Sequence, residues 1–333
     1  MKNQQKPEDL RALFRELLSK YHGKKIVILS HSKMDVDGLA SAFAISNLLP
    51  GSVICYCEKP NYGAEILAER IGIKTGNIDS LNKKEFDGMI VVDSSTSTLV
   101  PAAKRWNVIA IIDHHQQEGR DLKAPYMFIE PCAVSTAEII ESIVPPEFWE
   151  SKQAIQVAYA LAAAIIADGA RFKSARQQSF AALSRLMNIC QAEYSELLSI
   201  AEPETKEENK IAILKAFQRV QYVYCCGYIV ATSEVGSSES EAASLIVEAA
   251  DVAFVASWKD KEKETRISAR ARHHVMVPLN KVMKEISKEL GGNGGGHEKA
   301  AGAYVKVHTE EALKKCVEVF QKQNAMGTIC GSV

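Results

Sequence analysis

Acidic and histidine side chains recur at the ends of short apolar segments along the first half of the chain. They are His31, Asp35, Asp37, Asp93, Asp113, His114, His115 and Asp168. Most follow segments typical of buried β-strands, and the last follows the apolar helix LAAAIIA. Because ligands of open α/β sheets bind at the carboxyl ends of the strands, we expect these side chains to gather there. Clustered carboxylates repel one another without a positive charge among them, so the pattern predicts a divalent metal site.

Each motif has an ordinary structural explanation when it is taken alone. The DVDG sequence at residues 35–38 would suit a turn, since Asp and Gly favour turns. Asp93 would serve as a cap for a following helix, and Asp168 as the end of one. The triplet DHH at residues 113–115 is harder to explain by packing, because two histidines follow an all-apolar strand. The four motifs together favour a chemical site.

The elements that must position these residues alternate between short apolar strands and helices. We predict strands at KKIVILS, SVICYC, GMIVVD and VIAIID, and helices at residues 38–49, 64–71, 135–143 and 152–168. Buried strands separated by helices are typical of a parallel sheet with helices on both faces. The first part of the chain therefore predicts an α/β fold.

The length of 333 residues suits two domains, each with its own core. We predict a first domain at residues 1–191 and a second, smaller α/β domain at residues 216–333. Between them, residues 192–215 include the charged stretch EPETKEENK, which is typical of a linker or an exposed helical connector. In the second domain we predict strands at residues 222–233, 252–258, 265–272 and 303–307 and a helix at residues 278–290.

Composition excludes several classes of protein. The formal net charge is −1, which argues against an extended surface for duplex nucleic acid. The charged N-terminus has no signal-peptide core, and no apolar run is long enough for a bilayer. The eight cysteines include no CxxC pair and read as reduced thiols. We therefore expect a cytoplasmic protein with no membrane contact.

The chain resembles a known family in a series of motifs. HSKMDVDG, VVDSS, IIDHH and ADGARF resemble, in order, the four motifs of the DHH phosphoesterase superfamily. ISARAR and GGNGGGHEKAAG resemble its C-terminal substrate domain, DHHA1, and the resemblance spans residues 24–308. The sequence departs from the family pattern at Met34, at Ala40 and in ADGARF, and it keeps every presumed ligand. The size and layout resemble the small members that degrade oligoribonucleotides.

The resemblance implies a site for two Mn²⁺ ions. One ion would be held by His31, Asp35 and Asp93, and the other by Asp37, Asp93, His114 and Asp168, so that Asp93 bridges them. Hard oxygen ligands with imidazole suit Mn²⁺, with Mg²⁺ or Co²⁺ as substitutes. Two ions about 3.5–4 Å apart can stabilise both the attacking and the leaving oxygen.

The first and last residues of the DHH triplet have predicted roles other than metal binding. Asp113 is expected to orient His114 from behind. His115 is expected to point at the phosphate or to assist protonation of the leaving oxygen. Together with Asp93, these two residues form the predicted catalytic set.

The second domain carries candidate substrate-binding residues. Gly294, Gly295 and Gly296 offer a flexible backbone that could approach a phosphate, although a helix cap followed by a turn would also use glycine. The resemblance implies that these glycines and His297 bind the phosphate or terminal nucleotide of the substrate. Arg270 lies two residues from a second arginine on a predicted strand, and such a pair can clamp a phosphate. For that second arginine, Arg272, an exposed polar strand face is an equal explanation.

The function predicted from these residues is hydrolysis of phosphodiester or phosphomonoester bonds in short oligonucleotides or nucleotides, held in a cleft between the domains. One alternative is a pyrophosphatase or exopolyphosphatase, which GGGHEKAAG disfavours. Another is a non-catalytic accessory protein that binds nucleic acid, which the complete ligand set disfavours. RNA, DNA or cyclic substrates and a homodimer stay open.

Overall fold

The computed structural model describes residues 7–115, 120–169, 172, 175–204 and 207–330. The chain divides into two compact units, Met1–Glu204 and Thr205–Val333, and each has its own six-stranded sheet.

The first unit is built on a parallel sheet. Its strands are β1 (Ile26–Leu29), β2 (Val53–Tyr56), β3 (Thr75–Asn77), β4 (Gly88–Val92), β5 (Val108–Asp113) and β6 (Tyr126–Ile129). They lie in the order β3-β2-β1-β4-β5-β6, and all neighbouring pairs are parallel. The predicted α/β fold with a parallel sheet is confirmed. The short strands β3 and β6 were not predicted.

Helices and loops cover this sheet on both sides. The α-helices are α1 (Pro7–Tyr21), α2 (Val36–Leu48), α3 (Tyr62–Ile71), α4 (Thr136–Ile143), α5 (Ala154–Asp168), α6 (Gln177–Cys190) and α7 (Tyr194–Ala201). Ile26 and Ile28 of β1 point into the core that these helices build. Val27 and Leu29 point to the other side, where a 3-10 helix, Pro101–Arg105, contributes to a smaller core. Most of the predominantly apolar α5 is buried, as expected of a helix with apolar residues on nearly all sides.

The strand order places the two central strands at the point where ligands bind in such sheets. β1 lies between β2 and β4, so the chain runs outward in one direction from β1 and in the other from β4. At such a switch point the connections after the two strands diverge and leave a crevice at the carboxyl ends. Most of the acids and histidines that the sequence singles out lie at or just after the ends of β1, β4 and β5, and Asp168 comes from the end of α5.

The second unit has a mixed sheet. Its strands are β7 (Gln221–Cys225), β8 (Tyr228–Glu234), β9 (Val252–Lys259), β10 (Glu264–Ala271), β11 (Gly292–Gly296) and β12 (Ala300–Val305), and its helices are α8 (Glu207–Gln218), α9 (Glu239–Ile246), α10 (Leu279–Leu290) and α11 (Thr309–Cys330). The order is β11-β12-β10-β9-β8-β7, with β8 and β9 parallel and the other pairs antiparallel. The predicted smaller α/β domain is confirmed.

One predicted strand of this unit is wrong in its extent. Residues 222–233 were predicted as a single strand, but they form the hairpin of β7 and β8. The chain turns at Cys226 and Gly227, whose φ angles are 57° and 82°. Positive φ at both central residues is what a tight two-residue hairpin requires, and only the glycine signals it in the sequence.

The predicted linker, residues 192–215, contains helices. α7 contributes Leu197 and Ile200 to the core of the first unit. α8 contributes Ile213 and Ala216 to a core of the second unit. The division between the units falls between these two helices.

Across the described ranges, every helix is too short or too polar to cross a lipid bilayer.

Candidate metal centre and substrate-binding face

The loop after β1 brings three of the predicted ligands to the start of α2. His31 follows the strand, Asp35 caps α2 by accepting a hydrogen bond from Gly38 N, and Asp37 lies in the first turn. A side chain at Gly38 would place its Cβ 2.2 Å from Ser30 Oγ. The glycine of DVDG is therefore required by close packing of the helix against the strand end, in addition to any preference for turns.

Asp93 lies at the centre of the predicted ligands. It follows β4, is 2% exposed, and has a φ of 59°, a left-handed conformation that costs a non-glycine residue energy. Its Oδ2 lies 3.3 Å from His31 Nε2, and its Oδ1 lies 3.5 Å from His114 Nε2. Thr136 Oγ1 donates a hydrogen bond to Oδ1 at 3.1 Å. The strained backbone thus holds one carboxylate between two histidines.

Asp37 is fixed by the beginning of α4. Its two carboxylate oxygens accept hydrogen bonds from the backbone N–H groups of Thr136 and Ala137, at 2.7 and 2.9 Å. The side chain is fully buried. Burial and the charges of Asp93 and Asp168 raise the pKa of Asp37 well above its usual value. An ionised Asp37 therefore needs a further positive charge nearby.

His114 presents an unbonded nitrogen to the acids. Its Nδ1 lies 3.4 Å from the carbonyl oxygen of Ala133, which favours the tautomer with the proton on Nδ1. Its Nε2 is buried and lies 3.2 Å from Asp168 Oδ2, yet it makes no hydrogen bond of acceptable geometry. A histidine that binds a metal through Nε2 is usually held through its other nitrogen in this way.

The two buried histidines respond to the negative charge around them. Burial by itself lowers the pKa of His31, but hydrogen bonds and charge from Asp35 and Asp93 raise it to about 10. Burial likewise opposes the charged form of His114, but Asp168 and the other acids raise its pKa to about 10. The neighbouring carboxylates therefore stabilise the positively charged form of both imidazoles. Divalent cations would supply more positive charge in the same space.

The donor set fits metal ions. The ligand atoms form three overlapping groups whose members lie within 4.8 Å of one another: His31, Asp35 and Asp93; Asp37, Asp93, His114 and Asp168; and Asp93, His114 and His115. The first two groups are the two predicted ligand sets, and all three share Asp93. We call the residues of the first two groups the acid–histidine cluster. It could hold metal ions, and the assignment of each ligand stays a prediction.

The predicted partner of Asp113 is wrong. Asp113 was expected to orient His114, but its Oδ1 accepts a hydrogen bond from His115 Nδ1 at 2.7 Å. Residues two apart in an extended segment point to the same side, so Asp113 reaches the second histidine of the triplet. The hydrogen bond that His115 donates to Asp113 raises the pKa of His115, despite burial. About half of the His115 side chain is exposed, so it can meet a substrate.

Two further side chains behind His115 were missed by the sequence analysis. Ser95 Oγ donates to Asp113 Oδ2 at 2.5 Å and accepts a hydrogen bond from Arg120 Nε at 3.1 Å. Arg120 Nη2 also donates to the backbone oxygen of His115, at 3.3 Å. Ser95 is part of the VVDSS motif, but nothing in the sequence indicated that Arg120 would contact it.

Thr136 and Ala137 were also missed as supports of the cluster. The sequence STAE at residues 135–138 is a capping signal, and Ser135 does cap α4 by accepting from Glu138 N at 3.1 Å. The signal predicts where the helix starts. It does not predict that the free N–H groups of the first turn bind Asp37.

The fourth motif, ADGARF, contributes Asp168 from the end of α5. Its Ala170 and Arg171 lie outside the described residues. Burial raises the pKa of Asp168, and the neighbouring His114 imidazole opposes that effect.

In the second unit, the two predicted arginines differ. Arg270 donates hydrogen bonds to Ser240 Oγ and Ser244 Oγ of α9, at 2.8 and 3.2 Å. Arg272 forms an ion pair with Glu248 at 3.0 Å instead of joining a clamp. The backbone N–H of His297 donates to Ala300 O at 2.8 Å, which places His297 beside the residue that pairs with Arg270. Arg270 and His297 therefore lie at the same end of the sheet.

The glycine-rich segment, for which the sequence suggested a flexible backbone or a helix cap followed by a turn, is a strand. Residues 292–296 form β11, which pairs with β12 at the edge of the sheet. A Cβ on Gly294 would lie 2.4 Å from Met283 O of α10, and a Cβ on Gly296 would lie 2.7 Å from Ala300 O. A Cβ on Gly295 would have nothing within 4 Å. Close packing thus explains Gly294 and Gly296, whereas nothing in the fold requires glycine at 295.

We expect Gly294→Ala and Gly295→Ala to differ sharply in stability. The first forces a methyl group against the backbone of α10, and such overpacking costs about 1–3 kcal/mol. The second places a methyl group in open space on a strand and should leave stability nearly unchanged. Thermal unfolding of the two full-length variants measures the difference. Equal losses would show that the steric account of this segment is wrong.

The fold and the acid–histidine cluster together indicate a class of metal-dependent protein. A parallel α/β sheet with an Asp/His cluster at its switch point is an arrangement suited to metal-assisted chemistry on phosphate esters. The model of the DHH family, N-terminal domain, matches residues 25–165, and that of the DHHA1 domain matches residues 224–325. The chain belongs to the DHH/DHHA1 phosphoesterase family.

Individual relatives agree with this membership. The uncharacterized protein MJ0988 of Methanocaldococcus jannaschii is 30% identical over 327 residues, which cover 91% of this chain and 94% of that protein. The cyclic-di-AMP phosphodiesterase GdpP of Geobacillus thermodenitrificans is 25% identical over 321 residues, 87% of this chain and 45% of GdpP, so the chain spans less than half of that relative. An exopolyphosphatase-related protein from Bacteroides fragilis has a similar fold, with a TM-score of 0.76, 14% identity and coverage of 96% and 97%.

Proposed function

We propose that this protein is a manganese-dependent phosphodiesterase that hydrolyses short oligonucleotides or dinucleotides with two metal ions. The observation that carries the proposal is that Asp93 belongs to all three groups of potential metal ligands found among the described residues. A carboxylate common to two neighbouring ligand sets is the arrangement that a two-metal phosphoesterase needs.

The choice of a nucleotide substrate is supported by the second unit. The DHHA1 domain match covers Arg270 and the segment of residues 294–297. One relative that shares sequence across most of this chain, GdpP, is named for hydrolysis of a cyclic dinucleotide. Arg270 and His297 lie at the same end of the sheet and would offer positive charge and hydrogen-bond donors to a phosphate, and Gly295 leaves open space beside them. Such a site suits a small substrate, consistent with a net charge of −1.

Each residue has a role in this proposal. His31, Asp35 and Asp93 would hold one ion, and Asp37, Asp93, His114 and Asp168 the other. When bound, the ions would activate water and neutralise charge on the phosphate. His115 would hold a proton on its exposed face for the phosphate or the leaving oxygen, while Asp113 fixes its ring. Arg270, Gly295 and His297 would bind the nucleotide.

The test is hydrolysis of an RNA dinucleotide by metal-stripped protein with and without Mn²⁺, with Mg²⁺, Co²⁺, a DNA dinucleotide and pyrophosphate run in parallel. We expect mononucleotide release only when a divalent ion is added, and fastest with Mn²⁺. Release of phosphate from pyrophosphate without dinucleotide cleavage would replace the proposal by the inorganic alternative. Cleavage in excess chelator would contradict the metal requirement.

A further inference from the structure

One face of the second sheet carries more than the residues discussed above. Side chains alternate along a strand, so Arg266, Ser268 and Arg270 of β10 point to one side, while Ile267 and Ala269 point into the core. On the neighbouring strands the same side is occupied by the residues paired with them: Tyr304, Gly302 and Ala300 of β12, then Asn293 and Gly295 of β11. We call these residues, with His297, the platform.

The platform has polar groups at both ends and bare backbone in the middle. At one end lie Arg270 and His297. In the centre, Gly302 pairs with Gly295, so no side chain stands above the sheet from either strand. At the other end, Arg266 pairs with Tyr304 across the strands. The two arginines are four residues apart on one strand, about 13 Å at 3.3 Å per residue.

The far end has the chemistry of a nucleotide subsite. Tyr304 is 48% exposed, and the guanidinium of Arg266 lies 5.4 Å from its ring centroid. Arg266 Nε is buried without a hydrogen-bond partner, and no ion pair of Arg266 occurs among the described residues. Both line a shallow cavity of about 490 Å³, together with Asn293, Lys306 and Glu264.

The charges favour a polyanion as the occupant. Two cations, Arg266 and Lys306, line the cavity with one acid, Glu264. Arg270 adds a positive charge at the opposite end of the platform. An exposed aromatic ring next to an unpaired arginine is the combination that binds single-stranded nucleic acid, with the base on the ring and the phosphate on the cation. A bare glycine row allows a flat ligand to lie against the sheet between the two ends.

We propose that the platform binds a single-stranded oligonucleotide of three or more nucleotides, with a base stacked on Tyr304 and a phosphate held by Arg266. This inference rests on the proposed function and extends it, since it assigns a length preference. The Arg270 end would serve any short substrate, whereas the Tyr304 end would be reached only by a longer one.

The test is binding of fluorescent oligoadenylates of two and five nucleotides to the full-length protein, in chelator so that neither is cut. Tyr304→Ala and Arg266→Gln should weaken binding of the pentanucleotide about tenfold, at the low end of a base–aromatic stack, and leave the dinucleotide unchanged. Tyr304→Phe keeps the ring and should bind like the wild type. Tyr224→Ala is the matched control, because Tyr224 is 75% exposed on β7, at the opposite edge of the same sheet.

The outcomes separate this inference from the proposed function. Unchanged pentanucleotide binding in both variants would overturn the platform, even if the wild type cleaves dinucleotides. An equal loss of affinity for the dinucleotide and the pentanucleotide would overturn the length preference. If an acidic peptide displaced the fluorescent pentanucleotide as readily as unlabelled oligonucleotide does, the assignment to nucleic acid would be overturned. A wild type that binds the pentanucleotide through Tyr304 but hydrolyses neither length would refute the proposed function and leave the platform standing.

Discussion

Asp93→Asn is expected to reduce phosphodiester hydrolysis by at least about a thousandfold, since it removes the charge shared by both predicted ion sites. Asparagine is the informative replacement because it keeps the shape of the side chain and tolerates a φ of 59°. Alanine would add backbone strain of about 1–2 kcal/mol and confuse lost chemistry with lost stability. The rate of dinucleotide cleavage at saturating Mn²⁺ is the measurement.

The matched control is Asp79→Asn. Asp79 is 73% exposed and lies 3.7 Å from Arg105, an exposed ion pair of the kind that contributes little. This variant should cleave at the wild-type rate. If Asp93→Asn retained more than about a tenth of the wild-type rate, while folding normally, the bridging role of Asp93 would be refuted.

His115→Gln is expected to lower kcat by about a hundredfold to ten-thousandfold, the range for loss of a positioned general acid or base. Its ring is held by Asp113 at 2.7 Å, and that hydrogen bond raises the pKa of His115, which favours the protonated imidazole. The exposed half of the side chain can then reach a phosphate oxygen or leaving group. Single-turnover rates with excess Mn²⁺ measure the effect.

The competing role for His115 is metal ligation, because its ligand atom also falls in a group with Asp93 and His114. Our assignment requires that His115→Gln bind as many Mn²⁺ ions as the wild type. Loss of an ion together with activity would make His115 a ligand instead. His22→Gln, an exposed histidine of the same unit, should change neither quantity.

Much of the candidate site was predictable because one rule covers it. Strands of a parallel sheet end at a common edge, so acids that follow β1, β4 and β5 must meet there. The sequence could not say which neighbour each side chain touches. Asp113 bonds to His115 and not to His114 because of side-chain direction at the end of β5, which depends on the local backbone. The support of Asp37 by Thr136 depends on how α4 docks, and it connects residues 99 positions apart.

Two of the strands that the sequence analysis missed have weak local signals. The strand β3 is TGN, with no apolar run, and it exists because it pairs with β2. The strand β11 is GNGGG, which has almost no strand preference of its own. It is strand because β12 pairs with it and α10 packs against Gly294. In both segments tertiary packing decides the structure, and local sequence preference does not.

The most direct test of the central claim is the number of Mn²⁺ ions bound per chain, measured by elemental analysis and calorimetric titration of metal-stripped wild-type protein and Asp93→Asn. We predict two ions in the wild type and at most one in the variant. A wild type that binds one ion or none, or a variant that still binds two, would contradict the account of a two-metal site bridged by Asp93.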